Sequence, residues 1–431
     1  MLRRHPATSE LAFATRQLQP VEVEEPVRTR TTPLHMAAGF PFDAFDEAVE
    51  HFRTGEGYSY TRVANPTITA VERRIAQLEG GAEALLVGSG QAAIVVALLG
   101  LVGSGGHVVA GASLYEGTRS LLLEELARLG IATTFVVGDE PADWSAAVRD
   151  ETRAVLAEAI PNPRNDLVDI RAVADVAHAH GVPLVVDSTL ATPYLLRPIE
   201  HGADLVVHSA SKFLAGQGSV LGGVIVDAGG FDAARDGERY PHLVARSRLG
   251  GPSRAERHGG LARMAALRDL AVRFGPTVSP LTAFLIGQGI ETLSLRVERH
   301  SQNALAIAEW LARQPQVASV DYSGLAGSPY RALADRYLPR GQGSVFAFHL
   351  HGGQEAARRL VDALELFTQM THLGDVRSLI LHPRTTSHAQ RTDAELEAAG
   401  IGPGTLRISV GIEDVDDLLR DLERGLAAAG A

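Results

Sequence analysis

Two stretches decide the fold: Pro183-Leu184-Val185-Val186-Asp187, and Leu205-Val206-Val207-His208-Ser209-Ala210-Ser211-Lys212. Each is a short run of branched apolar residues that stops at polar, chemically useful side chains. Continuous runs of this kind suit strands buried on both faces of a parallel sheet. Working outward, further strands are predicted at 84–87, 107–110, 132–137, 154–157 and 222–227. Helices at 69–79, 91–101, 116–129 and 170–180 alternate with them. The alternation predicts an α/β architecture, a mostly parallel sheet with helices on both faces. Ligands in such sheets bind at the carboxyl ends of the strands, which is where Asp187 and Lys212 fall.

Residues 228–265 are rich in Gly, Arg and Pro and read as a long loop or subunit contact. Beyond them, helices at 278–288, 291–311, 353–364 and 415–429 and strands at 345–349 and 406–410 predict a smaller α+β domain. The expected organisation is an N-terminal arm and subunit-contact segment (1–66), a large domain (67–265) and a C-terminal domain (266–431).

The chain has 431 residues, 45% hydrophobic and 21% charged, with ample material for a core. Its net charge of −11 and the lack of a basic block argue against nucleic acid or anionic membrane as partner. With 0 cysteines it has no disulfide, no thiolate metal site and no cysteine nucleophile. The first twenty residues carry three arginines and no long apolar stretch, unlike a secretory signal. The longest apolar run, 92–102, is too short to span a bilayer, so a cytoplasmic protein is expected. The histidine pairs His349/His351 and His178/His180 lack the spacing of a zinc helix, and no metal is expected.

Lysine and arginine together number 40, and Lys212 is the single lysine among them. Arginine replaces lysine everywhere else: either coding bias removed lysine and Lys212 survived by accident, or position 212 has a requirement that a guanidinium does not meet. A guanidinium stays protonated, whereas an ε-amine loses its proton when desolvated and then acts as nucleophile or base. Its ordinary pKa of ~10.4 has to fall for that work near neutrality. Asp187 precedes it by 25 residues at a strand end. A lone amine with such a carboxylate points to pyridoxal phosphate: the lysine forms the Schiff base and the carboxylate keeps the pyridine nitrogen protonated. Ser209 and Ser211 flank the lysine and suit the cofactor's phosphate.

Gly88-Ser89-Gly90-Gln91-Ala92-Ala93 follows a strand and opens a helix, a pattern shared with dinucleotide-binding turns. A nicotinamide-dependent oxidoreductase is therefore the outside alternative. The acidic residue that fingerprint expects after the next strand is missing, and Lys212 is left without a role. The glycines serve equally as a phosphate cradle at a helix N-terminus.

The stretch from Asp187-Ser188-Thr189-Leu190-Ala191-Thr192-Pro193-Tyr194 through His208-Ser209-Ala210-Ser211-Lys212-Phe213 resembles the signature of the Cys/Met-metabolism family of pyridoxal-phosphate enzymes. Tyr58-Ser59-Tyr60-Thr61-Arg62 through Asn65-Pro66-Thr67, and Leu114-Tyr115-Glu116-Gly117-Thr118, resemble two further motifs of that family. The resemblance runs from about residue 12 to 428. It implies a fold type I pyridoxal-phosphate-dependent transferase. Lys212 then carries the cofactor and shuttles protons, and Asp187 pairs with the pyridinium. Tyr115 stacks on the ring. The N–H groups of Gly90 and Gln91, with Ser209 and Ser211, hold the phosphate, and Asn162 sits near the 3-oxygen. Tyr60 and Arg62 reach the phosphate of the adjacent subunit, which implies a homo-oligomer with shared active sites, usually a tetramer. Arg407, in the apolar stretch Leu406-Arg407-Ile408, clamps the substrate's α-carboxylate, assisted by Ser378.

Gly374-Asp375-Val376-Arg377-Ser378-Leu379 through His382-Pro383, and Gly289-Ile290-Glu291-Thr292-Leu293, are similar to the O-acetylhomoserine and O-succinylhomoserine sulfhydrylase branch. This implies γ-replacement on an O-acyl-L-homoserine with sulfide or a thiol, in sulfur amino-acid metabolism and methionine biosynthesis. Cystathionine γ-synthase and methionine γ-lyase activity are the alternatives. Three departures from the family pattern stand near the expected site. His372 replaces a common asparagine, Arg384 a small residue, and Glu116 a glycine of the tyrosine loop. Arg384 suggests a preference for the succinyl ester.

Overall fold

The structure, a computed structural model, describes residues 29–138, 140–246 and 250–430. The stretch 1–28, which includes the segment compared above with a secretory signal, lies outside the described residues.

A seven-stranded sheet carries the larger part of the chain. Its strands are β1 (Glu83–Val87), β2 (His107–Gly111), β3 (Ala132–Val136), β4 (Thr152–Glu158), β5 (Leu184–Asp187), β6 (Leu205–Ser209) and β7 (Gly223–Asp227). They lie in the order β1-β7-β6-β5-β4-β2-β3. From β6 to β3 all pairings are parallel. Only β7 runs against its neighbours, β1 and β6. The central strands are apolar along their length because helices cover both faces, giving two buried clusters.

Local chemistry sets the helix ends. The helix Pro66–Glu79 starts three residues ahead of the expected position, because Asn65 accepts from the Thr67 N–H and Pro66 occupies the first turn. There its fixed φ and missing N–H carry no penalty. Ser89 caps Gly90–Leu101 by accepting from the Ala92 N–H. The expected single helix at 116–129 is a short α-helix, Glu116–Ser120, that widens into a π turn at Leu121–Leu126.

The segment 228–265 is not a loop. It folds into the short helices Ala233–Asp236, Pro241–Val244 and Arg254–His258. Asp232 caps the first, and a Ser253–Glu256 capping box starts the third. Phe231, Tyr240 and Leu243 are buried in the large core. Buried Arg263 ties the segment down, donating to Asp227 Oδ1 (2.8 Å) and Asp204 Oδ1 (3.2 Å). Helices of four or five residues are too short to show a period in the sequence. Position 266 lies inside the helix Ala262–Phe274, and Ala262, Met264, Ala266 and Leu267 of that helix pack in the core of the large sheet.

The second sheet is five-stranded: β8 (Val317–Asp321), β9 (Val345–Leu350), β10 (Thr368–Gln369), β11 (Leu379–Leu381) and β12 (Thr405–Ser409). Its order is β10-β11-β12-β9-β8. The sequence reading found β9 and β12 and missed β8, β10 and β11, which are edge-exposed or only two or three residues long. The helices Gly353–Ala363 and Val415–Gly430 cover it around Phe346, Phe348, Leu406 and Ile408. Among the described residues no helix is long and apolar enough to cross a membrane. No group of three or more His, Cys, Asp or Glu there is arranged to hold a metal ion.

Candidate active site

Four strand ends converge on one spot. β5 ends at Asp187, in register with Glu158 at the end of β4. β6 ends at Ser209, in register with Gly223 at the start of β7. β1 leads through Gly88 into the capped helix at Ser89-Gly90. After β6 the chain turns tightly, Gly216 donating to the Lys212 carbonyl (2.7 Å), and Lys212 faces inward from this turn.

The Lys212 amine stands 3.2 Å from Nδ1 of His372. Burial, then the positive charge of Arg407, lowers its pKa to about 8. Burial also lowers His372 to about 4, with Lys212 adding to the effect, so the imidazole is neutral and accepts from the amine. His372 Nε2 is buried without a partner.

Asp187 Oδ1 accepts from both the N–H (2.9 Å) and the hydroxyl (2.6 Å) of Thr189. The Thr189 hydroxyl in turn accepts from the Ser209 N–H (2.8 Å), linking the two strand ends. Burial raises the Asp187 pKa, opposed by the Thr189 bonds. Glu158 is raised well above the ordinary carboxylate range by burial and by the charge of Asp187. Its Oε2 accepts from the Tyr115 N–H (2.7 Å) and so fixes the tyrosine loop. Behind β6, His208 Nε2 lies 2.8 Å from Glu79 Oε2, both side chains wholly buried. Asn162 is buried, its Oδ1 without a partner.

The helix beginning at Gly90 presents first-turn N–H groups that have no carbonyl inside the helix to bond. Backbone and side chains crowd here: a Cβ on Gly90 would meet Ser209 Cβ at 2.6 Å, and one on Gly223 would overlap the Ser89 carbonyl. Gln91 Nε2 donates to the Gly117 carbonyl (2.8 Å). Buried Ser211 donates its hydroxyl to the Gly222 carbonyl (3.2 Å) and accepts the Gly222 N–H (2.9 Å), bracing the next turn. Tyr60 and Arg62 lie on the outer surface, where Arg62 donates to the Val272 carbonyl (2.6 Å) and rests over the Tyr60 ring.

Arg407 of β12 is 2% exposed. Its Nη2 reaches only the carbonyls of Met370 and His372 (both 3.3 Å), and its Nε is buried without a partner. No carboxylate among the described residues pairs with it, so burial lowers its pKa to about 10. Ser378 was expected to assist it. Instead Ser378 is fully buried, donating its hydroxyl to Glu413 Oε2 (3.0 Å) and accepting the Gly411 N–H. The residue that stands between Arg407 and Lys212 is His372. Arg384 bonds Asp393 and the Ile401 carbonyl, so its charge is already neutralised.

Thr189, Glu158 and the His208–Glu79 pair were not found from sequence. Only Thr189 left a signal, a hydroxyl two residues after a strand-end Asp.

The site is tailored to pyridoxal phosphate. A buried amine of lowered pKa, a strand-end carboxylate, an orphaned Asn162 oxygen and a glycine-lined helix start are the donors and acceptors that cofactor needs. The family model for Cys/Met metabolism PLP-dependent enzymes matches residues 14–427. The O-acetyl-L-homoserine sulfhydrylase of Corynebacterium glutamicum is 42% identical, covering 96% of this chain and 97% of the relative. The homocysteine synthase of Schizosaccharomyces pombe is 41% identical, covering 97% and 98%. A solved Campylobacter jejuni structure, assigned as an O-acetylhomoserine (thiol)-lyase, superposes with a TM-score of 0.89 at 33% identity, covering 93% of this chain and 96% of that one. It carries N'-pyridoxyl-lysine-5'-monophosphate. Strand ends, buried amine and full-length similarity agree: the chain belongs to the Cys/Met metabolism PLP-dependent enzymes.

Proposed function

We propose that this enzyme catalyses γ-replacement on an O-acyl-L-homoserine, the O-acetyl ester in preference, with sulfide or a small thiol, giving homocysteine or a thioether. The observation that carries the substrate class is Arg407. A guanidinium buried without a counter-charge beside the amine is costly on its own. A substrate α-carboxylate relieves that cost by charge-assisted bonds to Nε and Nη. The relatives named above act on, or are named for, homoserine esters and homocysteine, which supports the same reading.

Lys212 is the attachment point for the cofactor, with Asp187 at its ring nitrogen and Asn162 at its 3-oxygen. Gly90, Gln91 and Ser209 hold its phosphate, and Tyr115 covers the ring face; Ser211 contributes by bracing the 222 turn. When bound, pyridoxal phosphate supplies an electrophilic carbonyl and an electron-accepting ring. The Lys212 amine, kept near neutrality by burial, takes the proton from the substrate's Cα. As the sole lysine it passes that proton on before it takes the one at Cβ; the acyloxy group then leaves Cγ with its electron pair, the sulfur nucleophile adds at Cγ, and protons return to Cβ and Cα. His372 Nδ1 orients Nζ for both transfers. Arg407 holds the carboxylate fixed throughout. The charge of Arg384 is met by Asp393 and is not free to recognise a second carboxylate, which supports acetyl over succinyl.

Tyr60 and Arg62 complete a neighbouring protomer's site in a homo-oligomer. Phe45, Phe52, Tyr60 and Val63 are 82%, 79%, 48% and 50% exposed in the single chain, an apolar surface that association covers.

The test is incubation of the purified enzyme with O-acetylhomoserine, O-succinylhomoserine or cystathionine, with and without sulfide. Sulfide-dependent homocysteine from the acetyl ester is the expected result. Cystathionine cleavage without ester turnover overturns it in favour of a lyase.

A further inference from the structure

Glu116, the residue after Tyr115, has a partner. Glu116 Oε2 accepts from Arg391 Nε (2.8 Å) and also from its Nη2. The side chains are 22% and 10% exposed, so this is a sheltered pair rather than a surface one. His388 Nε2 lies 3.9 Å from the same carboxylate, but burial and the charge of Arg391 lower its pKa to about 4, so it adds no charge. One turn along, Arg119 lies 4.9 Å over the Phe135 ring and 3.4 Å from Glu395 Oε1. Both pairs join the helix that follows Tyr115 to the segment after His388, in the part of the chain that carries Arg407. A cavity of about 440 Å³ opens beside them, lined by Asn162, Arg119, His388 and Arg391.

Tyr115 is thus fixed from three directions. Glu158 holds its N–H, Gln91 holds the Gly117 carbonyl, and Arg391 holds the side chain of the residue next to it. The first contact comes from the large sheet and the second from the helix Gly90–Leu101 packed on it. The third is the one that registers Tyr115 against the C-terminal part.

We propose that Glu116 and Arg391 are a positioning pair that sets Tyr115 over the cofactor according to the placement of the C-terminal part. The inference rests on the assignment of Tyr115 to the ring face. Breaking the pair loosens Tyr115, so the cofactor escapes faster and the substrate's amine meets a less ordered site.

The experiment measures cofactor loss from the holoenzyme by the decay of visible absorbance after removal of free pyridoxal phosphate. Glu116→Gln and Arg391→Met are each expected to speed it roughly tenfold, and the double variant no more than either alone. Glu116→Gly, which leaves a small residue in the loop, serves if Glu116→Gln fails to fold. The deciding arm repeats Glu116→Gln in a Tyr115→Ala background, where the pair has nothing left to position and the added effect vanishes. An equal acceleration in both backgrounds overturns the positioning role and leaves the assignment of Tyr115 standing. No acceleration by Tyr115→Ala itself removes that assignment, and the inference with it.

Discussion

The Lys212 amine and the His372 imidazole face each other at 3.2 Å, with Nδ1 as acceptor. An asparagine here, the residue that the family resemblance led one to expect, would also offer an acceptor, its amide oxygen. The imidazole does so from a rigid ring, and Arg407 anchors the His372 carbonyl. The lone lysine makes this contact directly measurable, because a ¹⁵N- or ¹³C-labelled lysine gives one side-chain signal. In the cofactor-free protein that signal titrates near 8, well below an ordinary lysine. Capture of added pyridoxal phosphate, which needs the neutral amine, accelerates as pH rises through that value. His372→Ala slows capture at a given pH, and His372→Asn restores most of the rate.

Stability of the cofactor-free protein follows the same group. Unfolded, the amine holds its proton up to ~10.4; folded, it releases it near 8. Between these values the unfolded chain binds more protons, so stability rises with pH across that window. Thermal unfolding of wild type against Lys212→Met detects it, since the variant lacks that component of the slope.

Removal of the Arg407 guanidinium separates binding from folding. Arg407→Met is expected to lower kcat/KM by about 10²–10³-fold, the loss typical of a desolvated ion pair. The same change leaves the substrate-free protein as stable as wild type or more so, because no buried charge is left unpaired. Ser378→Ala behaves oppositely. KM is unchanged while stability falls by about 1–3 kcal/mol, since Glu413 and the Gly411 N–H lose their partner. Steady-state kinetics with denaturation of each variant checks both.

Arg384→Ala leaves the ratio of acetyl to succinyl ester turnover within about twofold, because its charge is already met by Asp393. A collapse of succinyl turnover alone would restore the reading taken from the sequence.

A methyl group at position 90 tests the phosphate cradle. Gly90→Ala drives Cβ into Ser209, an overpacking of about 1–3 kcal/mol. Cofactor affinity is expected to drop roughly tenfold or more, measured by titration of the cofactor-free protein.

Asp187 and Lys212 stood out in the sequence because one ends a buried strand and the other follows the end of the next, where such sheets do chemistry. Arg407 stood out because an arginine inside Leu406–Ile408 is costly unless paired; the sequence left a structural salt bridge open, and no carboxylate among the described residues supplies one. Glu158 did not stand out. Its proximity to Asp187 depends on β4 lying next to β5, a fact of strand order that local sequence does not carry. Ser378 was named from a motif, Arg377-Ser378-Leu379, and the motif does not show that the folded path turns its hydroxyl toward Glu413. For Arg384 the partner Asp393, brought alongside by the start of a short helix, was invisible in the sequence.

The reversed direction of β7 has its own consequence. It places the outlets of β1 and β6 on either side of the bare backbone at Gly223, so the proposed phosphate seat is assembled from remote parts of the polypeptide. A nascent chain that has emerged only as far as Lys212 already owns the reactive amine but has no finished seat to recruit a phosphorylated aldehyde. Vitamin capture therefore waits on completion of the sheet, and coloration of the protein serves as a built-in report of finished folding.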